Sequence, residues 1–354
     1  MIKIAHIIGA RPQFIKCASV SRAIRRRGNI DEIILHTGQH YDPNMSEVFF
    51  KELEIPEPNI NLGIGSGTHA VQTSAMLSAL EKSLEEIMPD WVLVYGDTNS
   101  TLAASLAAVK LGLRIAHVEA GLRSFNRNMP EEINRVVTDH VADLLLAPTL
   151  TAMKLLEKEG LKRRSVLTGD VMYDSVLHSV HLAERRFKHQ PLVPFNEFYL
   201  ATVHRQENTD DPHRLGNIIK AFSLLDLPVV LPIHPRTRKT LNISALPSRI
   251  RITDPVGYLE MLMLLQRSRK VFTDSGGLQK EAYFLKKQCI TLRDETEWTE
   301  TLEHNWNIIT GVQVDKIIAA SQTGITGPRG DYFGDGNASV KILDTLLKRD
   351  EGTT

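Results

Sequence analysis

The sequence predicts an α/β protein made of two Rossmann-like, doubly wound domains with a cleft between them. Three observations predict it. The chain has 354 residues, too many for one ordinary core. Short aliphatic runs recur along it, each ending in a glycine, proline or polar turn and leading into a helical pattern. That rhythm breaks once, near the middle. The apolar share of 42% and charged share of 24%, with 6% aromatics, fit a globular protein rather than a disordered or membrane one.

In chain order, strands are expected at Ile2 to Ile8, Glu32 to Leu35, Trp91 to Tyr95, Ile115 to Val118, Leu144 to Ala147 and Val166 to Leu167. WVLVYGD and DLLLAPT read as parallel strands covered on both faces, since such strands are continuously aliphatic. The polar stretch Glu184 to Gln190, closed by Pro191 and Pro194, interrupts the pattern, so a first domain is expected over 1–186. The second, over 187–336, carries strands at Phe198 to Val203, Pro228 to Leu231, Ile250 to Ile252, Val271 to Thr273, Cys289 to Leu292 and Ile308 to Ile309. A closing helix is expected over Asn337 to Lys348.

Lysine plus arginine (42) balances aspartate plus glutamate (42), so no whole-molecule field attracts a polyanion and no nucleic-acid partner is expected. Arg25, Arg26 and Arg27 read as cations in the last turn of a helix. Cys17 and Cys289 lie far apart and read as reduced, packed thiols. The apolar run in MIKIAHIIGARP is short for a signal peptide and no segment approaches a membrane span, so a cytoplasmic protein is expected.

Open α/β sheets bind ligands past the carboxyl ends of their strands, which selects the residues to inspect. After the first strand, GARPQFIK opens a helix with Arg11 and Lys16, cations suited to an anion near a helix N-terminus, although a short motif of this kind reads as readily as solvated surface. TDSGGLQKE follows a later strand: Gly276 and Gly277 after Ser275 admit phosphate oxygens to backbone N–H groups, and Glu281 accepts ribose hydroxyls or simply stabilises the helix end. Asp97, Glu119 and Glu131 occupy strand ends or the helix that follows, and carboxylates in different protonation states suit paired acid and base work. Singly, Asp97 reads also as an N-cap and Glu131 as a first-turn acid. His204, and His234 with Arg236, fit a diphosphate or its protonation on leaving, with a satisfied structural histidine as the alternative, above all at His234. His117 reads as core. The chain has no H-E-x-x-H, C-x-x-C, G-x-S-x-G or G-x-G-x-x-G, so no metal, serine acyl transfer or dinucleotide cofactor is expected.

Together GARPQFIK, HTGQHYD, GDTNSTLAA, HVEAGLRS, MPEEINR, TVHRQEN, PIHPRT, TDSGGLQKEA and RDETE, in this order over nearly the whole chain, resemble the non-hydrolysing UDP-N-acetylglucosamine 2-epimerase family. The resemblance implies a GT-B-type pair of Rossmann-like domains, a homodimer, a UDP-sugar substrate and no cofactor. It implies interconversion of UDP-N-acetylglucosamine and UDP-N-acetylmannosamine by loss of UDP to give 2-acetamidoglucal, then re-addition. It places Arg11, Lys16, His204, Ser275, Gly276, Gly277 and Glu281 at the UDP portion, Asp97, Glu119 and Glu131 around the sugar, and Arg135 nearby. It also makes the closing helix cross back onto the first domain. Two segments depart from the family pattern. Where many members read R-P-E, this chain has Trp298-Thr299-Glu300, which leaves a UDP-2,3-diacetamido uronic acid sugar as an alternative substrate. Some members are activated by a second UDP-N-acetylglucosamine held by residues matching Gln39 and His40 and by an arginine; Ile64 to Thr68 contains no arginine here, so weak or absent activation is expected. A UDP-sugar glycosyltransferase, a hydrolysing epimerase and a silent nucleotide-sugar sensor are the competing readings.

Overall fold

The computed structural model describes residues 1–39, 53–243 and 246–351. The chain divides into two compact units, Met1–Leu177 with Asp331–Thr354 and His178–Gly330.

The strands of the first unit are β1 (Ile2–Ile8), β2 (Ile30–His36), β3 (Ile60–Asn61), β4 (Trp91–Tyr95), β5 (Ile115–Val118), β6 (Leu144–Ala147) and β7 (Ser165–Leu167). Its helices are α1 (Arg11–Arg27), α2 (His69–Ile87), α3 (Asn99–Lys110), α4 (Pro130–Val141), α5 (Leu150–Lys158) and α6 (Val171–Phe187), the last running past the division at Leu177. The sheet order is β3-β2-β1-β4-β5-β6-β7, every pairing parallel. Strands β4 and β6 are buried along their whole length, as their aliphatic runs require. The expected strand Glu32 to Leu35 is longer at both ends, and β3 was not expected because two residues carry no period. Cys17 and Cys289 are buried free thiols, and Arg25 to Arg27 form the last turn of α1.

In the second unit the strands are β8 (Tyr199–Thr202), β9 (Val229–Pro232), β10 (Ile250–Thr253), β11 (Val271–Thr273), β12 (Cys289–Thr291) and β13 (Asn307–Ile309). The helices are α7 (Gln206–Thr209), α8 (Pro212–Ser223), α9 (Pro235–Thr240), α10 (Tyr258–Arg267), α11 (Gly276–Phe284) and α12 (Val314–Gln322). This sheet, also parallel, runs β10-β9-β8-β11-β12-β13. Apolar clusters cover both its faces, one around Phe222 and Phe272 and the other around Phe198 and Leu264. The expected α/β class therefore holds in both units.

The closing helix, α13 (Ala338–Glu351), belongs to the first unit and packs against α1. Buried Asp174 in α6 caps it, accepting the N–H groups of Ala338 and Ser339 at 3.0 and 2.8 Å and the Ser339 hydroxyl at 2.6 Å. This N-cap meets donors that the first helical turn cannot satisfy.

Both sheets reverse their winding at one place, between β1 and β4 in the first and between β8 and β11 in the second. At such a reversal the flanking helices depart to opposite faces and leave a crevice past the strand ends, the usual ligand position in this architecture.

Candidate active site

In the first unit the crevice is built on Gly9. A Cβ there would lie 2.1 Å from Thr37 Oγ1 and 2.3 Å from Ser100 Oγ, so the hydroxyl pair that closes over β1 requires glycine. Ala10 offers no capping oxygen. Gln13 supplies one: its Oε1 accepts the Gly9 and Ala10 N–H groups at 2.8 and 3.0 Å, while its Nε2 donates to Tyr95 O at the end of β4. One amide thus ties the two strands that flank the crevice.

Lys16, one turn further along α1, is buried and pairs with Glu119, Nζ to Oε1 2.8 Å. Both lie over Gly96: a Cβ built there would meet Lys16 Nζ at 3.1 Å and Glu119 Oε1 at 3.7 Å. Glu119 has a φ of +74°, the left-handed region that costs a side-chain-bearing residue of order 1 kcal/mol. The conformation is held by Leu146 O, which accepts the N–H groups of Glu119 and Ala120 at 3.1 and 3.2 Å.

Asp97 follows Gly96. It does not cap the next helix, because Thr98 does so through Thr101 N. Its carboxylate instead meets Arg135 Nη2 at 2.5 Å, and its carbonyl accepts Asn134 Nδ2 at 2.9 Å, both from α4. Glu131 is exposed in the first turn of α4, four residues before Arg135 and therefore on the same helix face. Its neighbour Glu132 is buried instead and accepts the N–H groups of Ser124 and Phe125 and a 2.9 Å bond from Arg135. Burial opposes ionisation of Glu132, but these bonds outweigh it and hold its carboxyl below the usual range. Lys16, Asp97, Glu119 and Arg135 are thus brought together. Arg11 is exposed at the first position of α1, and five residues of helix put it roughly 140° around the axis from Lys16.

In the second unit Asp274 stands between β8 and β11, fully buried. Its oxygens accept His204 N at 3.0 Å, Arg205 N at 3.0 Å and Asn208 Nδ2 at 3.1 Å, and His204 Nδ1 lies 3.1 Å away. Burial alone would raise the Asp274 carboxyl, yet these donors and the His204 charge carry it below its ordinary value. The next residues, Ser275, Gly276 and Gly277, open α11, with Ser275 Oγ accepting Leu278 N at 3.4 Å. Glu297, held by Arg293 at 2.8 Å, reaches this helix start: a Cβ on Gly276 would fall 2.2 Å from its Oε1. Glu281 is buried one turn into α11.

The His204 and His234 rings are 5.8 Å apart. His234 accepts the Arg236 N–H at 3.2 Å through Nδ1 and caps α9, the structural alternative for a lone histidine. Partial burial, then the neighbouring His204 and Arg236, hold its ring below the ordinary value. With its amide turned to accept, Gln206 takes both Arg236 Nη1 and Nη2, at 3.0 and 3.1 Å.

Sequence reasoning passed over Asp274, Glu132 and Gln13. Asp274 had a signal, an acid between a strand end and a Ser-Gly-Gly helix start; the other two depend on contacts across the sheet. His40 lies outside the described residues, while Gln39 accepts Ser100 N and Oγ at 3.1 and 2.7 Å. Among the described residues no three His, Cys, Asp or Glu side chains converge as a metal-ligand set, and no helix is long and apolar enough to cross a membrane.

The family model described as UDP-N-acetylglucosamine 2-epimerase matches residues 22–347. Over 98% of its length the chain is 52% identical to a Methanococcus maripaludis protein named UDP-N-acetylglucosamine 2-epimerase homolog, of which 99% is covered. Over the same share it is 49% identical to the whole of a Pseudomonas aeruginosa protein named UDP-2,3-diacetamido-2,3-dideoxy-D-glucuronate 2-epimerase, with 100% of that protein covered. A crystal structure of Methanocaldococcus jannaschii UDP-GlcNAc 2-epimerase in complex with UDP-GlcNAc and UDP is similar at a TM-score of 0.86 and 43% identity, covering 98% of this chain and 100% of that one.

Proposed function

Because the chain belongs to the UDP-N-acetylglucosamine 2-epimerase family and is an epimerase, we propose that it inverts carbon 2 of UDP-N-acetylglucosamine to give UDP-N-acetylmannosamine. UDP leaves carbon 1 as the carbon 2 proton is removed, giving 2-acetamidoglucal and UDP; re-addition delivers a proton to the opposite face of carbon 2.

The observation that supports this reading most is a pair of carboxylates past the strand ends, each gripped by its own cation: Asp97 by Arg135 and Glu119 by Lys16. No carbonyl adjoins carbon 2 to acidify its proton, so the reaction demands stabilisation of the departing diphosphate and of positive character at carbon 1. Carboxylates at the sugar meet the second demand. Asp97, Glu119 and Glu131 form the acid/base set jointly, with no division of acid from base among them. Arg11, Lys16, His204, His234, Arg236, Ser275, Gly276, Gly277 and Glu281 bind the UDP portion, with Arg135 beside the sugar. The first unit then serves as the sugar-side domain and the second as the nucleotide-side domain. A homodimer supplying cell-surface polysaccharide precursors belongs to the same reading and rests on the resemblance.

A second reading takes the 2,3-diacetamido uronic acid form of the sugar. It is supported by the 49% identity to the Pseudomonas aeruginosa protein, which lies between 52% to the Methanococcus maripaludis homolog and 44% to the Methanocaldococcus jannaschii enzyme. The test is proton NMR of each UDP-sugar with enzyme in deuterated water. Deuterium at carbon 2 of a UDP-linked product is expected with one of them. Free sugar plus UDP would indicate hydrolysis, and an unchanged spectrum with both would refute epimerisation of either sugar.

A further inference from the structure

We infer that the buried pair His117 and Asp139 positions the proposed carboxylates, fastening from within the first unit all three chain segments that carry Asp97, Glu119 and Glu131; the inference rests on the acid/base reading above.

Both side chains are fully buried. In register, His117 stands beside Val94 of β4 and Leu145 of β6, so it is a polar exception in an aliphatic row. Its Nε2 lies 2.7 Å from Gly96 O, and its Nδ1 lies 2.7 Å from Asp139 Oδ1. A carbonyl can only accept, and so can the carboxylate, so both ring nitrogens are used as donors. The other Asp139 oxygen accepts Gly121 N at 3.0 Å and Arg123 Nη1 at 2.7 Å. Arg123 runs on to Glu159, Nε and Nη2 each 2.7 Å from one of its oxygens. Burial works against an ionised Asp139, and His117 and Arg123 outweigh it, holding the carboxyl below its ordinary range.

The pair therefore reaches three segments. Through Gly96 O it holds the turn after β4, whose next residue is Asp97. Through Gly121 N and Arg123 it holds the loop after β5, which begins at the left-handed Glu119. Asp139 itself is part of α4, the helix whose first turn holds Glu131 and which carries Arg135. Packing does not account for the pair, because a buried ion cluster contributes little net stability over apolar side chains of similar volume. Placement does: acid/base groups must be held to about half an ångström, and a displacement of about 1 Å costs on the order of 10²-fold in rate.

The decisive variants are Asp139→Asn and His117→Gln. Every partner of Asp139 is a donor, so an amide must turn its NH2 toward one of them; Gln at 117 carries both its donors on one nitrogen, so it cannot span the two acceptors that the ring meets from separate nitrogens without turning its oxygen toward one of them. Activity is read as carbon 2 deuterium incorporation in deuterated water, per site titrated with UDP, so that only folded protein counts. The expected result is a kcat loss of about 10²-fold with KM within about threefold of wild type. Should either single variant fail to fold, the double variant His117→Gln with Asp139→Asn lets the two amides satisfy each other and close the joint again, so it is expected to restore the fold and to bring kcat back to within about tenfold of wild type. A kcat within about threefold of wild type in a folded single variant, a loss confined to KM, or a folded double variant whose kcat is still about 10²-fold down overturns the inference. Wild-type protein that exchanges carbon 2 of neither UDP-sugar overturns the functional reading itself, and this inference with it.

Discussion

Replacing Asp274 by alanine and by asparagine separates what its oxygens do from what its charge does. The alanine variant removes a fully buried carboxylate that accepts His204 N, Arg205 N and Asn208 Nδ2, leaving three N–H groups without it, although Asn208 keeps its second bond to Leu292 O. At about 1 kcal/mol for each unsatisfied donor, the loss is about 3 kcal/mol. For a unit of roughly 150 residues this lowers Tm by about 6–12 °C. Asparagine keeps an oxygen where those three donors converge, and its NH2 faces His204 Nδ1, which accepts once the ring proton moves to Nε2. Only charge assistance is then lost, about 1 kcal/mol.

Of the three tryptophans, Trp298 and Trp306 lie in this unit, so fluorescence in a Trp91→Phe background reports its melting alone. The pH dependence carries a sign. Asp274 is held below its ordinary value, so its carboxylate contributes fully above that value and the contribution is lost as pH falls through the depressed one. The gap between wild type and the asparagine variant should therefore close on acidification below about pH 4. Equal Tm losses for alanine and asparagine, or a gap that widens in acid, would refute the reasoning.

Asp97→Asn and Glu131→Gln are each expected to lower kcat by on the order of 10²-fold with the fold intact by circular dichroism, and near-normal turnover in either removes that residue from the set. Gly9→Ala puts a Cβ 2.1 Å from Thr37 Oγ1 and 2.3 Å from Ser100 Oγ, an overpacking that should cost about 1–3 kcal/mol in urea unfolding; an unchanged midpoint contradicts it. His6 is fully buried, and desolvation outweighs the attraction of Glu32, lowering it from its ordinary 6.5. As pH drops below that value the unfolded chain takes the proton first, so His6 should make stability rise with pH up to about 6.5 and add no slope above; His6→Phe should flatten that segment of a Tm-versus-pH curve. Because Ile64 to Thr68 offers no arginine, the initial-rate curve should be hyperbolic in substrate, and a sigmoidal one counts against the expectation.

The strands were legible because burial on both faces writes a continuous aliphatic signal, as in WVLVY, which is buried throughout. What the sequence leaves unwritten is sheet order. Asp274 and His204 are 70 positions apart, and only the crossover that puts β11 beside β8 makes one the support of the other. Likewise Glu131 and Glu132 are indistinguishable in MPEEINR until the 100° step of the helix buries one against the 124–125 backbone and exposes the other. Thr98, not Asp97, caps α3, because the turn at Gly96, with a φ of +62°, gives the aspartate to Arg135 instead.

Each unit places an aspartate against a histidine near the reversal of its sheet, yet exposure gives the two pairs different tasks. The His204 side chain is 38% exposed while Asp274 is 0%, so the aspartate holds one nitrogen of a ring that solvent still reaches. His117 and Asp139 are both 0% exposed, and the second ring nitrogen is spent on Gly96 O, so no ligand atom reaches that ring. The same two residue types thus make a solvent-reached pair in one unit and a sealed joint in the other. The difference lies in burial: His204 is partly exposed, whereas His117 is sealed and its far nitrogen meets a backbone carbonyl. A joint of this kind is worth its desolvation only where chain segments must be held to a fraction of an ångström, which is the demand that proton transfer to and from carbon makes.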